Sequence, residues 1–160
     1  MAVAADIMAR EVVTVTPETP VGTVAEMLSS QRFGSLPVVD ADGRVLGIVT
    51  EEDLVTRAAP VHLPRHVTFL GGIIFLENPQ HFTEEAEKIL AISAEEIMDT
   101  DVPFVHPDTP VEVIATRMLD EDLRRVVVLD AEDRLVGIIT RADIVRMQST
   151  EGRFPENKAR

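Results

Sequence analysis

The chain contains its own pattern twice. Residues 5–57 align with residues 95–147 at a constant offset of 90, without a gap, and 18 of the 53 positions are identical. The identities cluster. Ile7-Met8 returns as Ile97-Met98, and Pro17, Thr19, Pro20 and Val21 return as Pro107, Thr109, Pro110 and Val111. Gly47-Ile48-Val49-Thr50-Glu51-Glu52-Asp53 returns as Gly137-Ile138-Ile139-Thr140-Arg141-Ala142-Asp143. A repeat constrains the fold more than any local propensity, because two copies of one supersecondary unit usually pack about a pseudo-two-fold axis. Function is then expected in the cleft between the copies, or at equivalent points in each.

Each copy reads the same way. Residues 3–9 predict a short helical start, followed by a strand near Val12–Val15. Thr16-Pro17 ends it, because the residue before a proline is pushed out of the helical region. Thr19-Pro20 opens a helix, with proline in the first turn where its missing N–H costs nothing. Val21, Val24, Ala25 and Leu28 fall on one helical face. Leu36–Asp40 and Arg44–Val49 are β-rich runs joined by the turn Ala41-Asp42-Gly43, and Glu51–Arg57 closes the copy as a helix. In the second copy the elements fall near 93–99, 102–105, 110–121, 125–130, 134–139 and 141–148. The order β-α-β-β-α with a leading helix predicts an α/β (α+β) class with a small sheet per copy.

Composition excludes several functions. There are no cysteines, which removes disulfides, thiolate metal sites and cysteine nucleophiles together. The net charge of −13 opposes nucleic-acid binding, which needs lysine and arginine to displace counterions, and opposes docking on anionic lipid. No apolar run approaches the roughly 18 residues of a membrane span. No basic segment followed by an apolar stretch marks a signal peptide. A cytoplasmic protein is expected.

The motifs carry a resemblance. Asp6-Ile7-Met8, the Thr-Pro-Glu-Thr-Pro-Val run, Leu36-Pro37-Val38-Val39-Asp40, Asp42-Gly43-Arg44 and the Gly47–Asp53 run look like a cystathionine β-synthase-type (CBS) domain, and the second copy looks like another. The chain therefore resembles a CBS pair: residues 1–58 as the first domain, 59–92 as an inserted linker, 93–148 as the second domain and 149–160 as a flexible tail. The resemblance implies a regulatory module that binds AMP, ADP, ATP or a related adenosyl ligand in clefts of the pair, with no catalytic cofactor. It also implies a dimer and a regulated partner protein.

Thr50 follows a strand and opens a helix, with Asp53 one turn on; Thr140 and Asp143 repeat this. At a helix N-terminus free N–H groups favour an anion, a threonine hydroxyl can donate to phosphate, and a carboxylate can accept from both hydroxyls of a ribose. A capping box explains the same Thr-x-x-Asp spacing, and one threonine can do both. The copies differ where a phosphate would lie. The second has Arg124, Arg125 and Arg141; the first has Gly34, Ser35 and Glu51-Glu52 at those positions. The resemblance implies that an arginine at the position of Arg125 holds phosphate, a role suited to its planar fork of donors. A solvated surface pair is the alternative for Arg124 and Arg125. Helix-dipole complementarity explains Glu51 and Glu52. By resemblance, the backbone around Val13 and Pro103 would flank an adenine, and Pro37, replaced by Val127 in the second copy, would shape the neighbouring strand.

Residues 58–94 depart from a minimal pair. Val67–Leu76 reads as a hairpin with a Gly-Gly turn, or as a short buried helix. Thr83–Ala91 reads as a helix. Phe69, Phe75 and Phe82 predict that the insert packs against something. His62 and His66 have i,i+4 spacing, but Pro64 between them argues against a helical metal site. No nucleophile elbow, P-loop or dinucleotide fingerprint appears. The expected function is a nucleotide-sensing regulatory module, ahead of a ligand-free interaction scaffold and, third, an enzyme. The apolar faces of Val21, Val24 and Leu28 and of Val111, Ile114 and Met118 are expected to lie open and to be covered in a homodimer of four CBS domains.

Overall fold

The computed structural model describes residues 1–31, 33–58, 66–69, 72–75, 88 and 91–150. In chain order the elements are α1 (Ala4–Ile7), α2 (Val21–Gln31), β1 (Ser35–Val39), β2 (Val45–Thr50), α3 (Glu51–Ala58), β3 (His66–Phe69), β4 (Gly72–Phe75), α4 (Ala94–Ile97), β5 (Phe104–Val105), α5 (Val111–Asp120), β6 (Arg125–Leu129), β7 (Leu135–Thr140) and α6 (Arg141–Thr150). Mixed helix and strand content, as expected from the repeat, is present in both copies. The chain divides into two compact units built from separated stretches. Unit 1 holds Met1–Val13, Ala41–Val45 and Asp101–Arg160; unit 2 holds Thr14–Asp40 and Leu46–Thr100.

In unit 1, β5 runs parallel to β6, with Phe104 opposite Val127. β6 runs antiparallel to β7, with Arg125 opposite Thr140 and Val127 opposite Ile138. Because side chains alternate across a strand, Val126, Val128 and Ile139 share one sheet face. That face meets Val111, Ile114 and Met118 of α5, Ile144 of α6, and Ala4 and Met8 of the leading segment. α5 begins after Pro110, whose φ of −60° fits the entry to a helix. It ends where Asp122 turns left-handed at φ 51°. There the Leu123 N–H reaches the Met118 carbonyl at 2.9 Å, the long bond that closes a helix C-terminus and satisfies a carbonyl the helix leaves over.

The leading segment of each copy closes the unit that holds the other copy's sheet. In unit 1, the Ala4 N–H donates to the Thr109 carbonyl at 2.8 Å, and Ala9 and Ile138 exchange bonds of 2.9 and 3.0 Å. In unit 2, the Ala94 N–H donates to the Thr19 carbonyl at 2.8 Å, and Ile48 and Asp99 exchange two bonds of 2.9 Å. The repeated Ile-Met and Gly-Ile motifs meet through this exchange. A Cβ added to Gly137 would collide with Sδ of Met8, and one added to Gly47 would lie 2.5 Å from Sδ of Met98. Glycine is needed at both positions for the close approach of the methionine.

Three expectations change. The strands near 12–15 and 102–105 contract to a single Val15–Val38 bridge and to Phe104–Val105. Proline at 103 lacks a ladder donor, and the chain turns away at Thr16, whose carbonyl accepts from the Thr19 N–H at 3.1 Å. The apolar helix faces are closed rather than open: Val21, Val24, Leu28, Val111, Ile114 and Met118 are all at most 2% exposed. An amphipathic face fills its own unit's core before any second chain arrives. Finally, α6 continues through Gln148 to Thr150, past the expected start of the tail at 149; residues 151–160 lie outside the described residues.

In the insert, β3 and β4 pair antiparallel with Phe69 opposite Gly72, so the hairpin reading holds over the helical one and Gly72 sits in the strand. The Thr83–Ala91 helix falls outside the described residues except for Lys88 and Ala91. The packing expected of Phe69, Phe75 and Phe82, and the side chains of His62 and His66, also fall outside them.

Candidate functional site

The strand-to-helix corner of unit 1 is formed by the end of β7 and the first turn of α6. The Thr140 N–H and its hydroxyl both donate to Oδ2 of Asp143, each at 2.8 Å. Oδ1 of Asp143 accepts from Nη1 of Arg146 at 3.0 Å. Asp143 is 14% exposed at its side chain and Arg146 is 73% exposed. The bland prediction for Thr-x-x-Asp is thus realised: the pair caps the helix.

Unit 2 repeats the corner at the end of β2 and the start of α3. The Thr50 N–H and hydroxyl donate to Oδ2 of Asp53 at 2.7 and 2.9 Å, and the Asp53 N–H returns a bond to the Thr50 hydroxyl at 3.3 Å. No described residue bonds Oδ1 of Asp53. Thr56 stands at the position of Arg146. Glu51 and Glu52 are exposed in the first turn of α3, where they complement the helix dipole.

Of the other candidates, Arg124, Arg125 and Pro103 lie in unit 1 with Thr140, and Ser35 lies in unit 2 with Thr50. Arg125, half-buried, pairs with Thr140 across the β6–β7 ladder, which puts the two side chains on the same sheet face. Arg124 is exposed, and its carbonyl accepts from the Arg141 N–H at 3.2 Å. The Pro103 carbonyl accepts from the Val127 N–H at 3.0 Å, which fixes Pro103 beside β6. In unit 2 the matching carbonyl of Gly34 accepts from the Glu51 N–H at 3.3 Å, and Ser35 opens β1 half-buried. Pro37, at the position of Val127, has no N–H to donate. Val13, at the position of Pro103, falls in unit 1.

Arg141 does not join the phosphate side. Its Nε donates to the Leu123 carbonyl at 2.8 Å and its Nη2 to Oδ1 of Asp122 at 2.8 Å, so it ties α6 to the end of α5. The left-handed end of α5 presents those acceptors, which sequence adjacency to Thr140 could not reveal. Sequence reasoning also passed over Arg146. Its signal was the i,i+3 spacing from Asp143.

Among the described residues, two titrations are displaced, both at the β6–β7 turn. The Arg134 N–H, with that of Glu132 and the Arg134 guanidinium, holds the half-buried Asp130 carboxyl below its ordinary value. Asp130 in turn raises Arg134. A shallow groove of about 400 Å³ runs along α5, lined by Glu112, Val113, Thr116, Arg117, Asp120 and Glu121. Neither Thr140 nor Asp143 lines it. Among the described residues, no group of three His, Asp or Glu is placed to hold a metal ion, and no helix is long and apolar enough to cross a membrane.

Residues 3–59 and 94–149 each match the CBS domain. CBSX2 of Arabidopsis thaliana, solved in complex with AMP, superposes with a TM-score of 0.73 at 23% identity, covering 95% of this chain and 99% of that one. The CBS domain pair of protein MJ0100, solved with 5′-methylthioadenosine and S-adenosyl-L-methionine, gives a TM-score of 0.69 at 25% identity, covering 94% and 98%. Homoserine O-acetyltransferase of Methanococcoides burtonii is 27% identical over 143 residues; they make up 89% of this chain and only 23% of that enzyme.

Proposed function

This chain belongs to the CBS-domain family, as a tandem pair, and we propose that it is a regulatory module that binds adenine nucleotides or related adenosyl ligands and passes their occupancy to a partner protein. The observation that carries the reading is the doubled corner. In each, a threonine ends a strand, a carboxylate follows one turn on, and the N-terminus of a helix of eight or ten residues opens beside them. Such a corner offers an acceptor to ribose hydroxyls and an N–H-rich terminus to an anion. The ligands of CBSX2 and MJ0100 share an adenosyl group and support that class. A phosphorylated ligand is assigned to the second corner, with Thr140 and Asp143, Arg125 as the phosphate holder, Arg124 adding positive charge and Pro103 beside the base. Thr50, Asp53 and Ser35 are assigned to the first.

The module is non-catalytic in this reading. The acetyltransferase match leaves most of that enzyme's length unmatched, so it supports no transferase activity here. A cytoplasmic homodimer of four CBS domains completes the proposal. With the earlier apolar faces buried, the exposed apolar side chains left for a contact are Val113 and Leu119 of α5 and Val145 of α6 in unit 1, at 54%, 75% and 53%, and, separately, Val55 of α3 in unit 2, at 69%. Val55 and Val145 occupy equivalent positions.

The interaction-scaffold reading keeps one specific argument: the cap alone accounts for both hydrogen bonds to Oδ2 of Asp143, and Arg146 takes Oδ1. Incubation with ATP, ADP and AMP separates the readings. A sensing module raises its melting temperature with ligand, through preferential binding to the folded state, and returns the nucleotides intact. A scaffold shows no shift, and an enzyme consumes them.

A further inference from the structure

The two corners differ in how many acceptor sites their carboxylate has left. A carboxylate offers about four lone-pair sites, two per oxygen. In both corners the threonine N–H and hydroxyl use the pair on Oδ2. A ribose that leaves the cap intact must place both hydroxyls on Oδ1. At Asp53 that oxygen bonds no described residue. At Asp143 it already accepts from Nη1 of Arg146 at 3.0 Å, and one remaining site cannot take two donors.

We infer that Arg146 is a specificity-determining residue of the second corner: its guanidinium occupies the carboxylate oxygen that ribose hydroxyls need, so a ribose binds there only by displacing it. The inference rests on the adenosyl-binding reading. Displacement from Asp143 is feasible because Arg146 is largely exposed. The competition weighs unequally on different ligands. An uncharged nucleoside meets it in full. A nucleotide regains part of the loss, since an anion within about a Debye length, roughly 8–10 Å, is attracted by the same cation. Arg146 therefore biases the second corner against bare nucleosides in favour of phosphorylated ones. The first corner, with Thr56 at this position and Glu51 and Glu52 nearby, has the opposite bias.

The test exchanges the residues. Each corner is isolated by removing the other's carboxylate, and adenosine and AMP are titrated calorimetrically. In the Asp53→Ala background, Arg146→Thr should tighten adenosine by about two- to fivefold, the range for losing one exposed ion pair, and should tighten AMP less or weaken it. In the Asp143→Ala background, Thr56→Arg should weaken adenosine by a similar factor. Adenosine binding that is unchanged or weaker in Arg146→Thr, while the Asp53→Ala parent still binds, overturns the role of Arg146 and leaves the adenosyl reading standing. Loss of adenosine and AMP binding from both backgrounds and from the unmodified chain overturns both.

Discussion

The corners at Thr50–Asp53 and Thr140–Asp143 share one hydrogen-bonded cap to within 0.1 Å in its two main bonds, at 2.7 and 2.9 Å in one and 2.8 and 2.8 Å in the other. They differ in the charged and polar residues beside it. The first is flanked by Ser35, Glu51, Glu52 and Thr56; the second by Arg125, Arg141 and Arg146. Arg141 holds the end of α5, and Arg146 holds Asp143 itself. A cap that stabilises a helix is retained for reasons of folding. The residues around it are then free to diverge in charge, so a repeat can keep one geometry and acquire two selectivities.

The largest expected effect that would break this comparison is at Arg125. Arg125→Ala should weaken AMP at the second corner by about 1.5–3 kcal/mol, roughly 10- to 150-fold, the range for a hydrogen bond to a charged group. Ser35→Ala should leave AMP affinity nearly unchanged in the same calorimetric titration. Equal losses would mean that the corners are not distinguished by charge. Next are the glycines under the exchanged methionines. Alanine at either should cost about 1–3 kcal/mol by overpacking, measured by urea unfolding. Gly47→Ala should cost more than Gly137→Ala, because the added carbon would lie 2.9 Å from the backbone carbonyl oxygen of Asp99, whereas at Gly137 the nearest atoms belong to the Met8 side chain.

Smaller effects sharpen the comparison. Asp53→Ala and Asp143→Ala should each lose about 0.5–2 kcal/mol of stability without ligand, the range for an N-terminal cap. Similar melting-temperature losses in the two variants confirm that the cap is shared; a loss confined to one shows that the other carboxylate serves ligand alone. The smallest effect is at Asp130. Its folded value is lowered, so its contribution is fully present above the ordinary carboxyl value of 3.8 and is lost as pH falls through the lower folded value. Asp130→Asn should therefore be less stable than the parent at neutral pH, and the gap should close in acid.

Much of this architecture was legible in the repeat. Periodicity located α2, α5 and both hairpins, because apolar spacing and the Asp-rich turns are local signals. Thr140 and Asp143 were legible as a cap for the same reason. What depends on distant partners was not. Val111, Ile114 and Met118 form an apolar stripe, but a stripe does not say whether its own sheet or a second chain will cover it. Ile-Met and Gly-Ile recur at the same offset, yet nothing in their spacing says that Met8 seats on Gly137 and Met98 on Gly47. Arg141 follows the motif threonine in sequence, but its donors go to acceptors at 122 and 123, created by a left-handed helix end.

The central claim is that a phosphorylated adenosyl ligand binds at the second corner. AMP titrated calorimetrically into Asp53→Ala, Asp143→Ala and Arg125→Ala tests it most directly. The account predicts that the tight site survives Asp53→Ala, is lost in Asp143→Ala and is weakened in Arg125→Ala. A tight site abolished by Asp53→Ala and untouched by Arg125→Ala would contradict it and return Arg124 and Arg125 to the solvated surface.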